Sequence, residues 1–209
     1  MIVVLEFLIA TVNNVAFQIR TPTESQNMKY LTCLLALAVC CSAYAEDETR
    51  EVKAGDLTLK VPKDWKQQQP SNKLRLAQFT IEAAEGDEEG AELVVFPPFG
   101  GTIAQNVERW IGQFESEGRS VKMTEGKTDQ GSYVFVDLAG TYKKPDGPPF
   151  LRKTIAAPGY RMLAVILSSD SGGNYFLKVT GPDKTVKASE DALRASFGAD
   201  AEKEKAYEQ

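Results

Sequence analysis

From Asp56 onward, apolar residues recur with a period of two in short segments bounded by turn residues, and that pattern calls for a sheet before anything else. Asp56–Val61 (DLTLKV) sets Leu57, Leu59 and Val61 on one face. Leu74–Ile81 (LRLAQFTI) and Ala91–Phe96 (AELVVF) flank the acidic loop Glu85–Gly90 and read as a hairpin. Ser120–Thr124, Ser132–Tyr142, Phe150–Ala156, Tyr160–Ser168 and Asn174–Thr180 follow as further strands. Within them Met162–Leu167 (MLAVIL) is apolar without alternation, as expected of a central strand covered on both faces. Most connections are too short for a crossover, so neighbouring strands must run antiparallel.

Two helices interrupt the strands. Thr102 and Gln105 fit a capping box, and Ile103, Val107, Trp110, Ile111 and Phe114 then share one helical face, with Gly118 as a stop. Asp183 is the expected N-cap of a last helix lined by Val186, Leu193 and Phe197. The expected fold is therefore α+β: a three-layer α/β/α sandwich with a central, mainly antiparallel sheet and two principal helices, in a single domain over 51–199. Lys66–Asn72 is polar and reads as a loop, residues 46–50 as a flexible start, and Ala199–Gln209 as a charged, frayed tail.

The segment before the domain reads as an export signal. Met28-Lys29-Tyr30 is a short positive start, Leu31–Cys41 an uncharged apolar run, and Ser42-Ala43-Tyr44-Ala45 ends in the small-x-small pattern of a signal-peptidase site. Cleavage after Ala45 would begin the mature chain at Glu46. The run is shorter than the roughly 20 residues a membrane span needs. Leu37-Ala38-Val39-Cys40 approaches a lipobox but carries the bulky Val39 before the cysteine, leaving anchoring at Cys40 an open alternative. Met1–Asn27, interrupted by Glu6, Asn13 and Asn14, reads as a leader created by a start assigned too far upstream, with Met28 the initiator.

Three absences bound the chemistry. All three cysteines, Cys33, Cys40 and Cys41, lie in the signal, so the mature domain has neither disulfide nor thiolate. Histidine is absent altogether, which excludes Ser-His-Asp and Cys-His constellations and the commonest metal ligand. The net charge of −5 and scattered lysines argue against nucleic acid, whose binding leans on clustered cations.

Several stretches resemble the PsbP/Mog superfamily. They are the Val61-Pro62-x-x-Trp65 turn, Asn106-Val107-Glu108-Arg109-Trp110, and the ending Tyr175-Phe176-Leu177-Lys178-Val179-Thr180-Gly181-Pro182 followed by Thr185-Val186 and a helix reaching Phe197. The resemblance spans Glu51 to Ala199. It implies a non-catalytic binding or assembly module, nearest in kind to the exported bacterial members, whose role is unknown. The photosynthetic members are associated with metal and chloride retention, in part through histidines, and with no histidine here no such ligand carries over. A Ran-type partner is equally out of reach for an exported chain.

Residue by residue, the candidate sites are few. Glu85, Asp87, Glu88 and Glu89 offer carboxylates to a hard cation such as Ca²⁺, although their spacing is not that of an EF-hand; the competing reading is a solvated hairpin tip. Phe96 and Phe99, flanking Pro97-Pro98, are either core packing at a strand-to-helix corner or a contact for a partner. Lys143 and Lys144 precede the turn Pro145–Pro149 and are expected at an exposed hairpin tip, open to an acidic partner. Trp65 and Trp110 read as core residues. Asp137, among Val134, Phe135, Val136 and Leu138, reads either as a perturbed carboxylate or, sharing a face with Phe135 by strict alternation, as a residue at the sheet's margin. No catalytic residue and no bound cofactor is assigned. The expected function is an exported, non-catalytic binding or assembly domain for a protein or small ligand of the cell envelope. The alternative is an enzyme working with carboxylates and lysine, such as a glycan-active hydrolase, which would show two facing carboxylates in a cleft.

Overall fold

The computed structural model of the protein describes residues 48–148 and 151–208. The segments read from sequence as a leader (1–27) and an export signal (28–45) lie outside the described residues, as do residues 46 and 47 of the expected flexible start and Phe150 of an expected strand.

Alternation converts directly into strands. Thr49–Ala54 (β1) and Leu57–Pro62 (β2) form a separate two-stranded sheet, and Lys66–Gln68 (β3), Ala77–Ile81 (β4) and Ala91–Phe96 (β5) lead to the first helix, Ile103–Ile111 (α1). Ser120–Thr128 (β6), Gly131–Pro145 (β7), Thr154–Ser169 (β8) and Asn174–Pro182 (β9) follow. Two short helices, Asp183–Ala188 (α2) and Glu190–Ser196 (α3), precede a 3₁₀ turn at Ala201–Lys203 and a two-residue strand, Lys205–Ala206 (β10). The main sheet runs β10-β6-β7-β8-β9-β5-β4-β3, and each of its pairings is antiparallel. The chain is thus α+β and mainly antiparallel. No helix among the described residues is long and apolar enough to cross a membrane.

β8 shows why an unbroken apolar run marks a central strand. Leu163, Val165 and Leu167 enter one buried cluster with Tyr133, Phe135, Leu177 and Val179; Met162, Ala164 and Ile166 enter a second with Val134, Val136, Leu138 and Phe176. The first cluster is covered by the β1–β2 hairpin through Leu57, Leu59 and Val61, by Val186 of α2 and by Leu193 of α3. The second is covered by Val107 and Trp110 of α1. Burying one such large side chain contributes roughly 1.5–3 kcal/mol, so both faces hold the sheet together.

Helix α1 begins as its sequence requires. Gln105 N–H donates to the Thr102 hydroxyl at 3.2 Å, and Thr102 N–H donates back to Gln105 Oε1 at 2.9 Å. It ends earlier than Gly118, at the Gly112 cap.

Several expectations need correction. The second principal helix is two short ones: the Ser189 hydroxyl donates to the Val186 carbonyl at 2.7 Å, occupying an acceptor where α2 gives way to α3, and Asp183 lies inside α2 rather than capping it. The two strands expected over 150–156 and 160–168 are, from Thr154 onward, one strand, carried past an irregularity opposite Gly140 and Tyr142 where Gly159 takes φ +70°. The flexible start contains the first residues of β1, and part of the polar loop is β3, an edge strand of three exposed residues. The tail is not frayed over the residues described. Glu204, almost fully buried, accepts from Arg194 Nε at 2.8 Å, from the Thr124 hydroxyl at 2.6 Å and from the Tyr133 hydroxyl at 3.0 Å, pinning β10 to β6. Arg194 also lies 3.8 Å from the Phe135 ring centroid.

Candidate ligand-binding groove

The registers of β8, β9, β5 and β4 define two rungs across the α1 side of the sheet: Ala164–Lys178–Val94–Gln78 and Met162–Thr180–Glu92–Thr80. Each rung is apolar on β8 and polar on β9 and β4, with Val94 of one and Glu92 of the other between them on β5. The intervening rung, Leu163–Val179–Leu93–Phe79, faces the other way and is wholly buried. Strand pairing thus gathers Lys178, Thr180, Glu92 and Val94 on the floor of a groove of about 490 Å³, beside the part of the face that α1 covers.

The walls come from elsewhere in the chain. Arg75 enters ahead of β4, while Tyr142, Lys144 and Pro145 descend from the β7 arm and Tyr160 from β8. The rings of Tyr142 and Tyr160 stack, 5.8 Å apart and 7° from parallel. Gly90 and Gly181 let the strands close at this end. A Cβ on Gly181 would lie 2.7 Å from Ala91 Cβ, and one on Gly90 would lie 2.2 Å from the Ile81 carbonyl oxygen.

The rim is electrostatically satisfied. Lys144 donates to both Glu89 oxygens at 2.7 and 3.0 Å and to the Tyr160 hydroxyl at 3.0 Å, while the Tyr160 hydroxyl donates to Glu89 at 2.5 Å. The hydrogen bonds from Lys144 and then Tyr160 hold the Glu89 carboxyl below its ordinary value; the bond to Glu89 holds the Lys144 ammonium above its own. Burial pushes the Tyr160 and Tyr142 hydroxyls up.

The floor differs. Arg75 donates to Glu92 at 3.2 Å, and Gln78 donates to the other Glu92 oxygen at 2.7 Å. Lys178, half-buried, donates only to the Gln113 amide oxygen, at 3.4 Å, and meets no carboxylate in hydrogen-bond contact among the described residues. Burial, and then the nearby Arg75 guanidinium, lower its pKa to about 8. Arg75 Nε and Thr180 Oγ1 are both shielded from solvent and have no hydrogen-bond partner among the described residues. An unmet buried polar atom costs about 1–3 kcal/mol, and such atoms are rare in folded proteins.

The residues singled out by sequence are redistributed. Of the acidic loop, Asp87 accepts from Thr185 N–H at 2.8 Å and from the Thr185 hydroxyl at 2.7 Å, serving the first turn of α2, and these bonds lower its pKa. Glu89 belongs to the groove rim, while Glu85 and Glu88 are exposed. Among the described residues no three acidic side chains gather as a metal site. Lys143 and Lys144 sit within β7, paired with Ala156 and Ile155, because the arm continues past them; they are not at a hairpin tip. Lys143 reaches the Gly112 carbonyl at 3.4 Å and Glu115 at 3.6 Å. Phe96 lines the groove, and Phe99 stacks on Phe176 at 4.3 Å while remaining 42% exposed. Trp65 and Trp110 are buried. Asp137 is bound to Arg161 at 2.7 Å, its other oxygen meets no hydrogen-bond partner among the described residues, and burial raises its pKa.

Arg75, Glu92, Lys178 and Thr180 were not singled out from sequence, although a signal was present. In Asn174–Thr180 and Ala91–Phe96 strict alternation already puts Phe176, Lys178 and Thr180 on one face, and Glu92, Val94 and Phe96 on one face. Only the cross-strand register shows that these two faces are the same.

No family model matches the chain, and no curated protein matches it either. Among solved structures the chain is similar to the solution structure of cyanobacterial PsbP (CyanoP) from Synechocystis sp. PCC 6803, at 9% identity and a TM-score of 0.43, over 79% of this chain and 96% of that one.

Proposed function

We propose that this chain is an exported, non-catalytic binding domain and that it holds a small-molecule ligand in the groove between the β5–β9 floor and the β7 arm. In a three-layer reading of the fold, this groove is the part of one outer layer that α1 leaves open. The observation that carries the reading is the presence of Arg75 Nε and Thr180 Oγ1, two buried polar atoms with unmet hydrogen-bonding capacity, on side chains lining a single cavity. At about 490 Å³ the groove falls within the roughly 300–1,000 Å³ typical of ligand pockets.

The hydrolase alternative is weaker. A glycosidase acid must stay protonated near neutrality, which requires a carboxyl pushed up in pKa. Of the two groove carboxylates, Glu89 is held below its ordinary value and Glu92 is bound to Arg75 and Gln78.

The test is amide-shift mapping on the full ¹⁵N-labelled chain, titrated separately with phenylacetate, phenylacetamide and phenethylammonium. At least one probe is expected to give saturable shifts centred on Glu92, Val94, Lys144, Lys178 and Thr180. Shifts centred elsewhere, or none from any probe, would overturn the groove reading.

A further inference from the structure

Resting on that reading, we infer that the groove selects an organic monocarboxylate with an apolar or aromatic body, whose carboxylate is received by Lys178, Arg75 and Thr180. Three observations lead there.

The first is where unused donors lie. The Lys144 ammonium already donates to three oxygens, which exhausts its N–H groups and makes it a wall rather than a receptor. Lys178 has one long hydrogen bond, to an amide, and so keeps N–H groups to offer. Arg75 Nε–H is buried and unspent, and so is the Thr180 hydroxyl. Thr180 and Lys178 lie two residues apart on the same face of β9, opposite Glu92 and Val94, so the two side chains stand on adjacent rungs of the groove floor.

The second is charge. The charged residues lining the groove are Arg75, Lys144 and Lys178 against Glu89 and Glu92, one positive charge in excess. A single carboxylate neutralises that excess. A dianionic phosphate would overshoot it and meet Glu92 at close range, where like charges in a half-buried site repel strongly.

The third is the remainder of the lining. Val94, Phe96, Ala91 and Pro145 are apolar, and the stacked Tyr142–Tyr160 pair presents ring carbon. An apolar body placed there loses little on leaving water, whereas a sugar-like body would leave its hydroxyls without partners.

The experiment compares phenylacetate, its neutral isostere phenylacetamide, and inorganic phosphate on the full chain, by calorimetry and amide shifts. Phenylacetate is expected to bind at least tenfold more tightly than phenylacetamide, with phosphate giving no saturable shift at Lys178 or Thr180. Lys178→Met should weaken phenylacetate at least tenfold. Thr180→Val, which keeps the shape and removes the hydroxyl, should weaken it severalfold and guards against a folding artefact in the first variant. Equal binding of acid and amide, tighter binding of phosphate, or indifference to both substitutions would overturn the inference. If phenylacetamide or phenethylammonium alone shifts the groove amides, the carboxylate inference falls while the groove reading stands. If no probe does, both fall.

Discussion

Lys178 should make the protein less stable at neutral pH than it would be without its charge. In the unfolded chain its ammonium titrates near 10.5, and in the folded one burial and Arg75 lower that to about 8. Below about 8 the ammonium is charged in both states, and folding bears the full cost of placing it in the floor. Between about 8 and 10.5 the unfolded chain binds the extra proton, so stability rises with pH through that window. A depression from 10.5 to about 8 is equivalent to about 3 kcal/mol at 1.36 kcal/mol per pH unit. Lys178→Met keeps the length of the stem and removes the charge. It should raise stability at pH 7 by up to about 3 kcal/mol, or roughly 6–12 °C in Tm for a domain of this size. The hydrogen bond it loses, to Gln113 at 3.4 Å, is too long to offset this. Urea melts of wild type and variant from pH 7 to 10.5 measure the effect, and taking the difference removes the tyrosine and other lysine titrations common to both. The advantage of the variant should shrink towards zero by pH 10.5. A difference that stays flat across the window, or a variant less stable at pH 7, would refute the desolvated ammonium and with it the central receptor of the groove.

Glu204→Ala should cost about 2–3 kcal/mol, because the Arg194 guanidinium, only 9% exposed, keeps Glu190 at 2.7 Å but loses its second carboxylate, and β10 loses its anchor; denaturant unfolding checks this, and a loss below 1 kcal/mol would mean the tail adds little. Gly181→Ala should destabilise by about 1–3 kcal/mol and shift the amides of β5, since the new methyl would sit 2.8 Å from the Ala91 backbone; thermal melts with amide-shift mapping would show it. Neither change alters a donor proposed to receive the carboxylate.

The strand pattern was legible because alternation is a local property. Alternation alone delimits Ala91–Phe96 to the residue, and two side chains three positions apart mark the α1 start. β3 and β10 were invisible, since short edge strands have too few residues for a period and lean on their neighbours for hydrogen bonds. β1 was missed for another reason: TREVKA carries its apolar residues, Val52 and Ala54, in a mostly polar stretch, and it is a strand because β2 pairs with it. Glu204 looks in sequence like one more tail charge, and only folding brings Arg194, Thr124 and Tyr133 around it.

The acidic loop and the lysine pair follow the same division. Each was visible as a charged segment, but nothing local indicated that Lys144 would meet Glu89, 55 positions earlier, or that Asp87 would turn away to serve α2. What is local or compositional follows from the residues alone: antiparallel strands, an amphipathic capped helix, and a domain without histidine or thiol chemistry. Tertiary structure alone decided which charges are spent and which are left over. A side chain's partners are set by strand register and burial, and those depend on residues far apart in the chain.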